Sequence, residues 1–160
     1  MTFYYGIDLF RSFRVNLKII EFMVVEFGLS YRNYLIIYNP VKHRSRKVKL
    51  NKLQQYLSEL ECDWQFYGTD KDNQVNKTFL AETIQQFTDI IVVGGDGTFH
   101  NVINSLPSDC ELPIGLLPAG TGNDFARWLY GKKYQNTSYI FSIISGNHHR
   151  TISLGRCKLA

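Results

Sequence analysis

Between Tyr34 and Gly146, short apolar runs alternate with stretches whose apolar residues recur every three or four positions. "YLIIY" (34–38) is a continuous apolar run ended by Asn39-Pro40, the pattern of a parallel strand buried on both faces. Leu50, Leu53, Leu57 and Leu60 then fall at helical spacing within residues 47–60. "WQFYG" (64–68) predicts a second strand, and Phe79, Leu80, Ile84 and Phe87 a second helix. "DIIVV" (89–93), β-branched and followed by glycine, is the strongest strand signal in the chain. A short helix over "FHNVINSL" (99–106), a fourth strand within "LPIGLLPAG" (112–120), and helices over "NDFARWLYG" (123–131) and "TSYIFSIISG" (137–146) follow. "HRTISLGRCKLA" (149–160) carries the pattern of a last, weaker strand.

This alternation predicts β-α-β units with right-handed crossovers: an α/β fold with a layered, mostly parallel sheet and helices on both faces. No repeat, low-complexity tract or linker interrupts it. The expected organisation is a working domain over residues 34–150, an N-terminal extension over 1–33, and the start of a further strand over 151–160. The extension is apolar but broken by Arg11, Arg14, Lys18, Glu21 and Glu26, and it lacks the uninterrupted apolar core and cleavage site of a signal peptide. A loosely ordered extension is the preferred reading. The helical spacing of Leu17, Ile20, Val24 and Phe27 fits the alternative, an amphipathic helix lying on a membrane or partner.

Composition narrows the class. A chain of 160 residues, 44% hydrophobic and 20% charged, is an ordinary globular protein with enough length for a core. The net charge of +4 is too small to argue for nucleic acid, and none is expected as a partner. Cys62, Cys110 and Cys157 are odd in number and lack metal-ligand spacing, which reads as reduced thiols of a cytoplasmic protein. No run approaches the roughly 18 apolar residues of a membrane span.

Candidate chemistry gathers where strands end, because ligands of open α/β sheets sit off the carboxyl ends of the strands. Gly94, Gly95 and Gly97 follow the third strand; without side chains, their N–H groups can approach an anion and their φ angles are free to turn positive. Thr98 is expected where the next helix begins, and a helix N-terminus favours phosphate. Asp96 has two readings: it helps hold a metal ion accompanying nucleotide phosphates, or it ties the loop through backbone hydrogen bonds. After the fourth strand, "PAGTGNDFAR" (118–127) places Gly120 and Gly122 around Thr121, and Thr121-x-x-Asp124 is spaced as a capping box with Asp in place of Glu. A Walker loop is excluded, since no Gly-Lys-Ser/Thr occurs. A Rossmann fingerprint is excluded because His100 and Phe125 stand where its third glycine belongs.

Asn39-Pro40, "GGDGT" (94–98) and "PAGTGNDFAR" (118–127), after the first, third and fourth strands, together resemble the diacylglycerol kinase catalytic-domain family of lipid kinases, of the bacterial type. The resemblance covers about residues 34–156. "GGDGT" alone is shared with NAD kinases, while the combination with "GTGNDFAR" favours lipid kinases. The family implies an N-terminal domain that binds ATP, with magnesium, beside these loops. Asn39, Pro40, Thr69, Gly94, Gly95, Asp96, Gly97, Thr98 and Thr121 would contact the nucleotide. Asn123 and Asp124 would shape the crevice, Asp124 mainly as a structural residue. The γ-phosphate would pass to the hydroxyl of diacylglycerol or a related lipid, in phospholipid metabolism.

The family also implies a second, β-rich domain carrying the general base, the main metal ligands and the lipid surface. The chain is expected to stop short of it, so no catalytic residue or metal ligand is assigned and little activity is expected of the chain alone. Implied partners are ATP and a lipid substrate or anionic membrane surface, at the cytoplasmic side. Apolar surface left where the second domain would lie predicts self-association. The alternatives are a non-catalytic remnant or nucleotide-binding module and, further off, a NAD kinase-like activity. One departure bears on all of these. The family's first turn usually reads Asn-Pro-x-Ser/Ala-Gly-x-Gly, and "NPVKHRSRK" (39–47) has no glycine, leaving Lys42, Arg44, Arg46 and Lys47 to supply charge. The six basic residues from Lys42 to Lys52 fit anionic headgroups and a solvated helix face equally.

Overall fold

A computed structural model describes residues 31–41, 44–146, 148 and 150–152, and the fold is that of the unit beginning at Arg32. In chain order the elements are β1 (Arg32–Tyr38), α1 (Arg44–Ser58), β2 (Cys62–Gly68), α2 (Asn73–Thr83), β3 (Asp89–Gly94), α3 (Asp96–Ser105), β4 (Ile114–Pro118), α4 (Asp124–Tyr130) and α5 (Thr137–Ser145). Short 3-10 turns occupy Ile84–Gln86 and Gly131–Lys133. The four strands form one parallel sheet in the order β2-β1-β3-β4.

Period-two alternation sorts the strand residues onto two faces. Tyr34, Ile36, Ile91, Val93 and Leu117 pack with Leu53 and Leu57 of α1 and with Ile140 and Phe141 of α5. Leu35, Ile37, Ile90, Val92 and Leu116 pack with Leu80 of α2, Val102 of α3 and Ala126 of α4. The result is three layers, with β1 and β3 buried on both sides. The side chains of Leu35–Ile37 and Ile90–Val93 are fully enclosed, each contributing about 1.5–3 kcal/mol by leaving water. β2, at one edge, exposes Asp63 and Gln65 while Trp64 and Phe66 turn towards α1's layer.

The other edge is closed by side chains. In β4 the residues that do not bond to β3 face outward, Leu116 and Pro118 among them. The Tyr130 hydroxyl donates to Leu116 O (2.9 Å) and accepts from Leu116 N–H (3.3 Å), standing in for a neighbouring strand. Pro118 has no N–H to offer, and Lys49 Nζ donates to its carbonyl. At the opposite end of the sheet Arg32 Nη1 donates to Asp89 Oδ1 (3.2 Å) and Ile144 O (3.1 Å), tying α5 to β1 and β3.

Element boundaries differ from the apolar pattern where helices start or stop on polar residues. α3 begins at Asp96, not Phe99, and α1 at Arg44. α2 ends at Thr83; Phe87 lies beyond the 3-10 turn in extended conformation, yet is buried in the core. Thr151 and Ile152 are not in a strand. Residues 153–160 of the expected last strand, and the helical spacing from Leu17 to Phe27, lie outside the described residues.

Candidate functional site

The chain steps from β1 out to β2 on one side, then crosses back over β1 to β3 and on to β4, so the sheet has its topological switch point between β1 and β3. Ligand crevices of parallel sheets open there, at the carboxyl ends. All the singled-out residues lie on that edge. Pairing aligns Tyr38 with Gly68 and Val93, and Gly94 with Pro118. Asn39-Pro40, Thr69, Gly94–Thr98 and the loop after Pro118 are therefore neighbours at one end. Thr69 is held by its N–H donating to Tyr38 O (2.8 Å).

The glycines serve close approach rather than unusual backbone angles. Among the described residues only Gly131 and Asn123 have positive φ, so Gly94, Gly95 and Gly97 do not use the freedom expected of them. A Cβ on Gly94 would lie 2.5 Å from Thr98 Cβ, so Thr98 folds back over the end of β3. A Cβ on Gly95 would lie 2.9 Å from Gly120 Cα, and one on Gly120 2.5 Å from Gly95 Cα. The two glycine turns thus touch backbone to backbone, and neither tolerates a side chain at the contact.

Asp96 fastens the pair. Its Oδ2 accepts from Asp124 N–H and its Oδ1 from Phe125 N–H, each at 3.0 Å, so it caps α4 from the first residue of α3. Burial pushes its carboxyl up, but the amides of Phe125 and Asp124, with those of Asp96 itself and Asn123, outweigh burial and hold its pKa below the ordinary value. The expected Thr121–Asp124 capping box does not form. The residue preceding α4 is Asn123, in left-handed conformation (φ 58°), with no side-chain cap bond to the helix. Its amide instead closes the loop, accepting from Gly120 N–H (2.9 Å) and donating to Gly120 O (2.7 Å). Thr121 is exposed at the loop tip, and Asp124 pairs with Arg127 (2.7 Å) at the surface.

α3 opens towards the crevice. Its N-cap is Gly95, which has no side chain to satisfy the first-turn N–H groups. Gly97 is exposed there, and a Cβ added to it would meet nothing within 4 Å. Across the switch point the turn after β1 is organised by α1. Val41 N–H donates to Asn39 Oδ1 (2.9 Å), and Arg46 Nη1 donates to Asn39 O and Val41 O, both at 2.7 Å. Lys49, one turn further along α1, is half-buried. Burial first, then the charge of Lys52, hold its pKa below the ordinary lysine value, with Tyr134 acting in the opposite sense. The sequence offers Lys49 only as one of the six basic residues from Lys42 to Lys52, with no sign of its contact to Pro118. No three His, Cys, Asp or Glu side chains among the described residues are grouped to hold a metal. His100 is exposed on α3.

A parallel four-stranded sheet between two helical layers, with two interlocked glycine loops at its switch point, defines the class as a three-layer α/β domain. The diacylglycerol kinase catalytic domain family matches residues 33–157, and the chain belongs to that family. It is 34% identical over 96 residues to a diacylglycerol kinase of Bacillus subtilis (strain 168), covering 59% of this chain and 32% of that protein. Identity to a diacylglycerol kinase of Mycobacterium tuberculosis is 38% over 78 residues, 48% of this chain and 25% of the relative. Sphingosine kinase 1 of Mus musculus matches at 27% over 100 residues, 58% of this chain and 26% of that enzyme. A solved structure assigned as a diacylglycerol kinase from Bacillus anthracis str. Sterne superposes with a TM-score of 0.61 at 27% identity, covering 74% of this chain and 41% of that one. The chain spans about a quarter to a third of the length of these curated relatives.

Proposed function

We propose that this domain is the ATP-binding part of a lipid kinase, with the phosphates seated over the N-terminus of α3 between the turn after β1 and the loop Gly94–Thr98. Gly97 carries the reading. Glycine in a helix costs up to about 1 kcal/mol relative to alanine. At position 97 neither a positive φ nor a neighbour requires it. A phosphate drawn up to the free N–H groups of α3 does require a bare Cα. The paired loops supply rigidity: Asp96 and the Gly95–Gly120 contact fix the direction in which α3 points its amides.

In this reading magnesium would arrive with the nucleotide and would offset the charge of its phosphates. This chain's own residues bind and orient: Asn39, Thr69, Thr98 and Thr121 line the crevice, and Asp96, Asn123 and Asp124 hold its walls. The acceptor is a lipid hydroxyl, consistent with the diacylglycerol and sphingosine kinases among the relatives. In phosphoryl transfer most catalysis comes from positioning and charge stabilisation. No helix of the described residues is long and apolar enough to cross a membrane, so a lipid acceptor would be met at a membrane surface. A second reading, a nucleotide-binding module without catalysis, draws support from the glycine-free turn at 39–47.

Gly97→Ala tests the proposal. The variant should unfold at the same temperature as the native chain or higher, and bind Mg-ATP at least about tenfold more weakly, roughly 1.4 kcal/mol. Unchanged Mg-ATP affinity in the variant would contradict the placement of the phosphates. Transfer to diacylglycerol by the 160-residue chain alone is expected to be little or none under both readings, and robust transfer would contradict both.

A further inference from the structure

Beside β4 an exposed indole stands among cations that no carboxylate neutralises. Trp128 of α4 is 53% exposed, although Ala126 two residues earlier is completely buried. The indole is held in place. Its ring lies 5.6 Å from that of Phe125, which itself stacks on Phe99, and the Arg150 guanidinium sits 4.8 Å from its centre. A second pair repeats the arrangement, with Lys133 Nζ 4.5 Å above the ring of Tyr139. Phe125, Tyr139, Arg150 and Ile152 all line one apolar groove along β4, so both cation–ring pairs stand at its rim.

The charge on this side is one-signed. From Phe125 to Ala160 the chain has six basic residues and no acid, more positive charge than the +4 of the whole. Arg127 answers Asp124, but neither Lys133 nor Arg150 has an ion pair among the described residues. Of the two acids lining the groove, Asp89 is spent on Arg32, and Glu111 is exposed in the loop before β4. Cations braced on aromatic rings, and not on carboxylates, keep their charge for an anionic partner. An indole with one side on apolar neighbours and the other in water matches the headgroup level of a bilayer, where tryptophan is enriched. The basic start of α1 is built differently: Arg46 and Lys49 there are turned onto backbone carbonyls. We propose that Trp128, Lys133 and Arg150 form the face with which the domain docks on an anionic phospholipid bilayer, the indole entering the headgroup layer and the two cations meeting lipid phosphates. The choice of a bilayer as occupant rests on the lipid-kinase reading above; the residues that make the contact are assigned by their exposure and charge.

Trp64→Phe leaves Trp128 as the single tryptophan of the 160-residue chain and so makes its emission the readout. With vesicles of phosphatidylcholine and phosphatidylglycerol the emission should shift to the blue. Binding to phosphatidylcholine alone should be about tenfold weaker or more, and raised salt should erase the difference. In co-sedimentation of the otherwise native chain with the anionic vesicles, Trp128→Ala and the double variant Lys133→Gln/Arg150→Gln should each lose about tenfold or more in affinity. Lys47→Gln/Lys52→Gln, on the exposed side of α1, should lose less than about threefold. Trp128, Lys133 and Arg150 are exposed, so their variants should unfold at the native temperature. Equal binding to both vesicle types overturns the proposal, as does a loss in the α1 variant as large as that in Lys133→Gln/Arg150→Gln. An emission that follows protein concentration and ignores vesicles assigns the face to a second copy and also overturns it. Mg-ATP binding without vesicle binding sinks the docking face and leaves the nucleotide reading standing; vesicle binding by a folded chain that takes no Mg-ATP does the reverse.

Discussion

Asp96 joins two loops that the sequence separates by more than twenty residues, and its chemistry makes that joint sensitive to acid. Its pKa is depressed in the folded state below the ordinary 3.8. The stability it contributes is therefore complete above the unfolded value and is lost as pH falls through the folded one. Asp96→Asn keeps one acceptor but turns an NH2 towards the Asp124 amide, with an expected cost of about 1–2 kcal/mol at neutral pH. Chemical denaturation from pH 7 downward should show the variant approaching native stability below pH about 3.8. A constant difference across that range would mean that the carboxylate's charge is not what the loops use. Gly120→Ala forces a Cβ against the Gly95 backbone and should destabilise by about 1–3 kcal/mol or more, whereas Gly97→Ala should not. Nothing in "GGDGT" or "GTGND" tells these glycines apart; the difference appears only when the two turns are brought together.

At the scale of elements, apolar periodicity was sufficient for the four strands of the sheet and for the body of each helix, but not for Thr151 and Ile152, which are in no strand. The enclosed residues Leu35–Ile37 and Ile90–Val93 are those of the continuous apolar runs. It failed at helix starts, because Asp96-Gly97-Thr98 and Arg44-Ser45-Arg46 carry no apolar residue to mark the period. Those polar first turns are where α3 and α1 face the crevice, so the sequence was least legible at the site itself. The capping of α4 was misread for a related reason: local spacing offered Thr121 and Asp124, and a residue from another loop took the role. Tyr130 was equally invisible, since its position in "WLYG" reads as helix and its partner is Leu116 across a connection. Burial raises its hydroxyl pKa, with the Leu116 backbone bond opposing, as expected of a phenol kept neutral inside. Tyr130→Phe removes the hydroxyl that answers both backbone groups of Leu116. It should cost about 1–3 kcal/mol in urea denaturation, and a loss below about 0.5 kcal/mol would show that water replaces the hydroxyl at that edge.

For the molecule as a whole, Tyr130 and Lys49 answer outward backbone groups of β4 and so oppose strand pairing at that edge. What stays open is a groove of about 680 Å³ beside that edge, with Ile103, Leu112, Ile114, Leu129 and Ile143 among its lining. Sedimentation of the purified chain should therefore show reversible, concentration-dependent association that weakens on cooling, as apolar contacts do. A monodisperse species across the whole concentration range would remove the groove from the account. The groove is lined at one end by the first residues of β3, Asp89 and Ile90, and reaches Phe99 of α3 and Phe125 of α4, whose rings stack.

Mg-ATP is expected to bind at the switch point of this sheet. Titration of Mg-ATP into the chain, shown to be folded by its circular dichroism and cooperative unfolding, tests it most directly. Saturable binding at one site per chain is expected, weakened at least about tenfold in Gly97→Ala. A folded chain that takes up no Mg-ATP at millimolar concentrations would contradict it.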